Sequence, residues 1–274
     1  MIRRPPRSTP SNSSAASDVY KRQGVGQRVA WNYIHDAPHA AVLFHGNDHV
    51  IENNRIERVC LDTSDAGAIY CGRDWALGGN IIRRNWIARL GEAVHHNNWG
   101  IYLDDVASGI VVRENILVDL PSGILVGGGR NNVISDNLLV RCRKRASICY
   151  DCRGRDTPGS DSASRLRSYL QARLKKLPYR KEPWRSRFPY LLELDSDPQP
   201  GMPKHSVVTG NRVFNSAGLR ICRYVVQFGK VRDNDVVSDD LKIYLRDGRV
   251  VFGEGHADLA RFSRFGIGPQ AGRR

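Results

Sequence analysis

No apolar run in this 274-residue chain approaches the roughly 20 residues that a bilayer-spanning helix needs, so no membrane partner is expected. Lysine is scarce. Arginine supplies most of the 42 basic residues behind the net charge of +14, and it is scattered over nearly every segment. Without a basic motif or an interleaved aromatic stripe, the sequence does not point to a nucleic-acid partner. Scattered arginines can still converge in three dimensions into a groove for an acidic polymer. The six cysteines (Cys60, Cys71, Cys142, Cys149, Cys152, Cys222) include one C-x-x-C, Cys149–Cys152, but no second pair and no histidines at zinc spacing. They read as small buried thiols of a strand stack. Gly127-Gly-Gly-Arg130 lacks the Lys-Ser/Thr of a phosphate loop and opens no helix, so it reads as a tight β-corner. No cofactor or metal is called for.

What the chain does have is enough apolar residues for a core, 41%, and a recurring phrase. The first 23 residues stand apart from both. Met1–Gln23 is rich in Ser, Arg and Pro, has no periodicity and lacks the apolar centre of a signal peptide. It resembles a translated sequencing-adaptor read-through, the alternative being a disordered tail. Residues 1–23 are therefore set aside as a leader.

From Gly24 onward, Asn followed by any residue and then an aliphatic recurs at Asn32, Asn54, Asn85, Asn115, Asn137, Asn211 and Asn234, at intervals of 22, 31, 30, 22, 74 and 23. The longer intervals read as the same unit plus an insertion. Most units open with an apolar pair such as Val111-Val112 and carry a second apolar strand about ten residues after the Asn. Short strands at a fixed period, each unable to bury its own apolar face, predict an all-β fold: a parallel β-helix with a partly helical insertion. Asn suits the corners, because it tolerates the left-handed conformation and its amide can bond the rungs above and below. A leucine-rich repeat would show leucines at fixed spacing and a helix per unit, and a sandwich would lack the Asn phrase. The expected organisation is coils one to five over 24–154, an insertion over 155–204, coils six and seven over 205–256, and a cap over 257–274. Within the insertion, Leu166, Tyr169, Leu170, Leu174 and Leu177 fall on one face of a helix that Pro178 ends.

Stacking the coils aligns Val42, Ile69, Ile101, Ile124 and Ile148 as an inward column. Three residues later come His45, Gly72, Asp104, Gly127 and Asp151, expected to face solvent, as are Tyr70 and Tyr102. At about 4.8 Å per rung, Asp104 is expected about 10 Å from both His45 and Asp151. The same surface gathers the carboxylates Asp65, Asp74, Asp104 and Asp105, the cation Arg73, the rings of Trp75, Trp99, Tyr70 and Tyr102, and histidines that include His45 and His96. Two carboxylates of opposite protonation state and flat rings for sugar faces are what glycoside hydrolysis needs. The competing reading is that aspartates at solenoid corners only cap turns.

Asp65-Ala-Gly-Ala-Ile-Tyr-x-Gly-Arg-Asp-Trp75, followed by Gly100-Ile-Tyr-Leu-Asp-Asp105, resembles a glycoside-hydrolase family of right-handed parallel β-helix proteins that includes an α-L-fucosidase. The resemblance runs from about Val29 to Gly268, taking in Pro183-Trp184 to Phe188-Pro189 and the tail Phe262-x-x-Phe265-Gly-Ile267. It implies two catalytic aspartates, Asp65 and either Asp104 or Asp105, and an extracellular or periplasmic site. It also implies a carbohydrate substrate and a chain from which N-terminal coils are missing. Two alternatives remain open: a polysaccharide lyase or epimerase acting on an acidic glycan, and a non-catalytic carbohydrate-binding β-helix.

Overall fold

The computed structural model describes residues 20–91, 97–153 and 161–263. Among these, the Asn repeat winds into seven coils. Each of the first six contributes one strand to each of three parallel seven-stranded sheets, as Arg28–Ala30, Tyr33–His35 and Val42–Asn47 do in coil one. This is the expected right-handed parallel β-helix. The expected inward column is in register, Val42 on Ile69, Ile69 on Ile101, Ile101 on Ile124 and Ile124 on Ile148. All five side chains are fully buried, so the core is one continuous apolar column.

The seven repeated asparagines form an unbroken ladder. The side-chain amide of each donates to Oδ1 of the next at 2.8–3.0 Å, from Asn32 through Asn54, Asn85, Asn115, Asn137 and Asn211 to Asn234. The same oxygen accepts the previous asparagine's backbone N–H. The corner geometry differs from expectation by one residue. The left-handed position is the one before each ladder asparagine: Trp31, Asn53, Arg84, Glu114, Asp136 and Asp233 have φ of 54–56° there, and Gly210 has 65°. A left-handed corner costs a non-glycine residue roughly 1 kcal/mol. The ladder amide that follows repays it, so nearly any side chain is accepted at the corner while the asparagine is required inside.

The two ends depart from the expected boundaries. Tyr20–Val25 pairs in parallel with Val42–Asn47, so the last four residues of the leader belong to the sheet. The outer edge of coil one presents unpaired N–H and C=O groups, and an extended upstream segment satisfies them. At the other end, Ile243–Arg246 and Arg249–Phe252 form an antiparallel hairpin and are not part of coil seven. Together with Leu259 and Phe262 the hairpin covers Trp86, Ile116, Leu138 and Phe214 on the outer face of the second-strand sheet. The segment from Ala257 to Ser263 thus covers a flank of the stack and does not cap its end; residues 264–274 lie outside the described set. The helix Arg223–Phe228 supplies Val225 to the core column.

The insertion returns to the stack. Its helix Asp161–Leu174 buries Leu170 and Leu174, with Leu166 and Leu177 beside them, whereas Tyr169 is exposed. With Tyr179, Phe188, Tyr190 and Leu191, this face covers Trp75, Ala76 and Val106. Arg130, fully buried at the glycine corner, pairs with Asp197 at 2.8 Å and Glu193 at 3.4 Å and locks the end of the insertion. The cysteines depart in part from the thiol reading. Cys60, Cys71 and Cys142 are buried thiols and Cys149 a half-buried one, but Cys152 and Cys222 are joined by a disulfide that spans the insertion.

Candidate functional site

The site lies on the outer face of the third-strand sheet, where Ala66–Gly72, Asn98–Asp104, Ile124–Val126 and Ile148–Tyr150 are neighbours. Strand alternation turns Tyr70 and Tyr102 outward on adjacent rungs. Their rings meet edge to face with centroids 5.2 Å apart. The Tyr70 hydroxyl donates to Asp104 Oδ2 at 2.7 Å, and the Tyr102 hydroxyl lies 3.4 Å from Asp65 Oδ1. Burial first, and then the hydrogen bond to Asp104 and its charge, push the Tyr70 hydroxyl well above the ordinary phenol range. Burial also raises Tyr102.

Sequence reasoning missed the centre of the arrangement, Arg153. Its Nη1 donates to Tyr102 Oη at 3.2 Å, to Asp105 Oδ1 at 3.2 Å and to Asp104 Oδ1; its Nη2 donates to Asp151 Oδ2 at 3.1 Å. One guanidinium therefore joins three carboxylates and one phenol, with the planar fork suited to carboxylates. The glycine corner makes room for it. A Cβ at Gly127 would lie 3.1 Å from Arg153 Cζ and Nη1, and one at Gly128 (φ +76°) would lie 1.9 Å from the Arg153 carbonyl oxygen. The available signal was a glycine in the column between Asp104 and Asp151, a gap that a long side chain from elsewhere can fill.

Asp65, at a left-handed corner (φ 56°), is exposed and receives the Asn97 amide at 2.7 Å. Among the described residues it makes no ion pair. Asp104 is buried, with Oδ2 taken by Tyr70 and Oδ1 by Arg153 and by the Asp105 N–H at 2.8 Å. Asp105 is held at Oδ2 by Arg73 at 2.8 Å and at Oδ1 by Arg153. Asp65, Tyr70, Arg73, Tyr102, Asp104, Asp105 and Asp151 are thus brought together.

Other candidates sit elsewhere. Trp75 and Trp99 were expected as sugar platforms, but their rings are 1% and 3% exposed. The insertion covers Trp75, while Trp99 packs with Tyr102, Leu125 and Ala146. Tyr102, expected to face solvent, is likewise only 2% exposed, its hydroxyl enclosed by Asp65 and Arg153. Asp74 is buried under the insertion, where it accepts from Arg173 at 2.8 Å and from the Ala76 N–H at 2.9 Å and lies 3.0 Å from His45 Nε2. Burial opposes its ionisation, but the bonds from His45, Ala76 and Arg173 outweigh that and hold its carboxyl below the ordinary range. Asp74 and His45 therefore anchor the insertion and do not meet Asp104. His96 lies outside the described residues. Among those residues no group of three or more His, Cys, Asp or Glu is arranged to hold a metal ion.

A family model, that of the right-handed beta helix region, matches residues 17–157, slightly more than half of the chain and all of the site described above. No curated protein and no solved structure matches the chain.

Proposed function

Because the chain belongs to the right-handed β-helix family, with its acidic site on an outer sheet face, we propose that it is a carbohydrate-active glycoside hydrolase. Its bond-cleaving pair is Asp65 and Asp104. The observation that carries this reading is the linked series Asp65, Tyr102, Arg153, Asp104, which holds an exposed carboxylate and a buried, cation-paired one on adjacent rungs. In glycosidic cleavage one carboxyl group protonates the leaving oxygen while a charged one steadies the oxocarbenium-like transition state. Asp65, accessible and without a cation among the described residues, takes the proton-transfer role. Asp104, with both oxygens committed to donors, takes the fixed-charge role, and Asp105 anchors Arg73 and Arg153 beside it.

The lyase or epimerase alternative needs a base to abstract a proton next to a uronate. The cations of the site, Arg73 and Arg153, are both bonded to its carboxylates, and burial raises the Tyr70 and Tyr102 hydroxyls, which counts against any of the four serving as that base. A screen of nitrophenyl glycosides tests the proposal. Turnover is expected on at least one, with a loss of about 10²–10⁴-fold in Asp65→Asn, the range for removing a general acid, and an unchanged melting temperature. Full activity in Asp65→Asn refutes the assignment. Glycan binding without turnover by the unsubstituted protein supports a non-catalytic β-helix.

A further inference from the structure

Arg153 sits where the chain leaves the stack. Among the described residues, the last rung bond before the insertion is from the Asp151 N–H to the Val126 carbonyl at 3.0 Å. One residue on, Cys152 is bonded to Cys222, which directly follows the neighbouring coil's strand Leu219–Ile221 and is itself held by its N–H to the Tyr150 carbonyl at 2.8 Å. Arg153 then bends back across Gly127 to Asp104. Its own backbone N–H is spent locally on Asp151 Oδ1, at 2.9 Å. Among the described residues, the tie between this turn and the next coil is therefore the disulfide, and the next described residue, Asp161, begins the insertion helix.

We propose that the Cys152–Cys222 disulfide is the positioning device of the carboxylate cluster: it holds Arg153 against Asp104, Asp105 and Tyr102, so that the site is assembled in the oxidised protein and slack in the reduced one. The proposal rests on the hydrolase reading only for its effect on turnover. The underlying step is two-electron thiol–disulfide exchange. A small dithiol attacks one sulfur, the Cys152–Cys222 bond breaks, the two cysteines take up the electrons and protons as thiols, and the dithiol leaves as its own disulfide. Released from Cys222, the turn carrying Arg153 gains freedom. Asp104 and Asp105 then lose the cation they share, and only Arg73 on Asp105 is left to offset their mutual repulsion. A corner with no such tie, the left-handed Asp105–Val106 corner, is instead bonded to the rungs on either side, Val106 N–H to the Gly127 carbonyl at 2.8 Å and Arg73 N–H to the Asp104 carbonyl at 3.3 Å.

The test reads Arg153 directly, independently of catalysis. The full chain, oxidised or reduced with dithiothreitol, is treated with phenylglyoxal, and modification of the Arg153 peptide is followed by mass spectrometry beside that of the buried Arg130 as an internal standard. The Cys152→Ser/Cys222→Ser variant is treated in parallel. Arg153 labelling is expected to rise at least tenfold on reduction and in the variant, with Arg130 unchanged. Equal labelling in oxidised and reduced protein overturns the proposal, and a parallel rise at Arg130 overturns it in favour of general loosening. On any glycoside that the protein cleaves, reduction should lower kcat in the parent and leave Arg153→Ala no slower than it already is; a further fall in Arg153→Ala assigns the disulfide a merely structural role. If no glycoside is cleaved, the hydrolase reading fails, and the labelling result still decides this one.

Discussion

The asparagine ladder predicts a position-dependent cost that can be worked out bond by bond. Asn115 is fully buried at the centre of the ladder. Its Oδ1 accepts from the Asn85 N–H at 3.1 Å and the Asn85 amide at 2.9 Å; its own amide donates to Asn137 Oδ1 at 3.0 Å, the Ile82 carbonyl at 2.9 Å and the Arg113 carbonyl at 3.1 Å. In Asn115→Ala, the Asn85 side chain keeps its bonds to the Ile51 and Arg83 carbonyls. The buried Asn85 N–H is left without an acceptor. That orphaned donor costs about 1–3 kcal/mol, and the other lost bonds add about 0.5–1.5 kcal/mol each where water cannot replace them, so a total of at least about 3 kcal/mol is expected. Asn234 makes the same kinds of bond at the end of the ladder but is half-buried. Water can take its place there, and Asn234→Ala should cost about 1–2 kcal/mol. Urea unfolding followed by far-ultraviolet circular dichroism gives both values, provided the m-value is unchanged. Equal costs at the two positions, or a cost at Asn115 within about 1 kcal/mol of zero, refute the ladder as a source of stability.

Two further outcomes follow from the site and its margin. Asp74 has a folded-state carboxyl below its ordinary value of 3.8, so its contribution is present above about pH 4 and is lost as pH falls through the lower folded value. The melting temperature of the parent should therefore drop more steeply below pH 4 than that of Asp74→Asn, and equal slopes between pH 2 and 5 contradict the anchoring role. Gly127 is not in the left-handed region, and an added Cβ meets Arg153 at 3.1 Å. Gly127→Val should therefore expel the guanidinium and match Arg153→Ala in the glycoside assay, with Gly127→Ala intermediate; full activity in Gly127→Val removes Arg153 from the site.

The stack was legible in the sequence because its determinants repeat. Seven asparagines, each with an aliphatic two residues on, specify a register, and Ile34, Ile56, Ile87, Leu117, Leu139, Val213 and Val236 pair in it from rung to rung. What does not repeat was not legible. The burial of Trp75 depends on where the insertion lands, and Phe188 and Tyr190 reach it from more than a hundred residues away. The Cys152–Cys222 pair is separated by 70 residues. It becomes adjacent only because the insertion leaves and rejoins the stack between neighbouring coils. Arginine was too widely scattered for Arg153 to stand out.

The column His45, Gly72, Asp104, Gly127, Asp151 also explains why glycine and aspartate occur together on this face. In a parallel stack, side chains at equivalent positions lie about 4.8 Å apart, and carboxylates on successive rungs would repel one another along the whole column. Glycine on both sides of Asp104 removes that conflict, and the space is then used. On one side Gly72 fits tightly, since a Cβ there would lie 2.8 Å from Asp104 Cβ. On the other, the space over Gly127 admits a cation that reaches Asp104 and Asp151 at once. A strand-per-rung scaffold can thus hold several acids on one surface only if some rungs are left bare. The bare rungs are as much a part of the candidate site as the aspartates, because they set both the spacing of the charges and the route by which Arg153 reaches them.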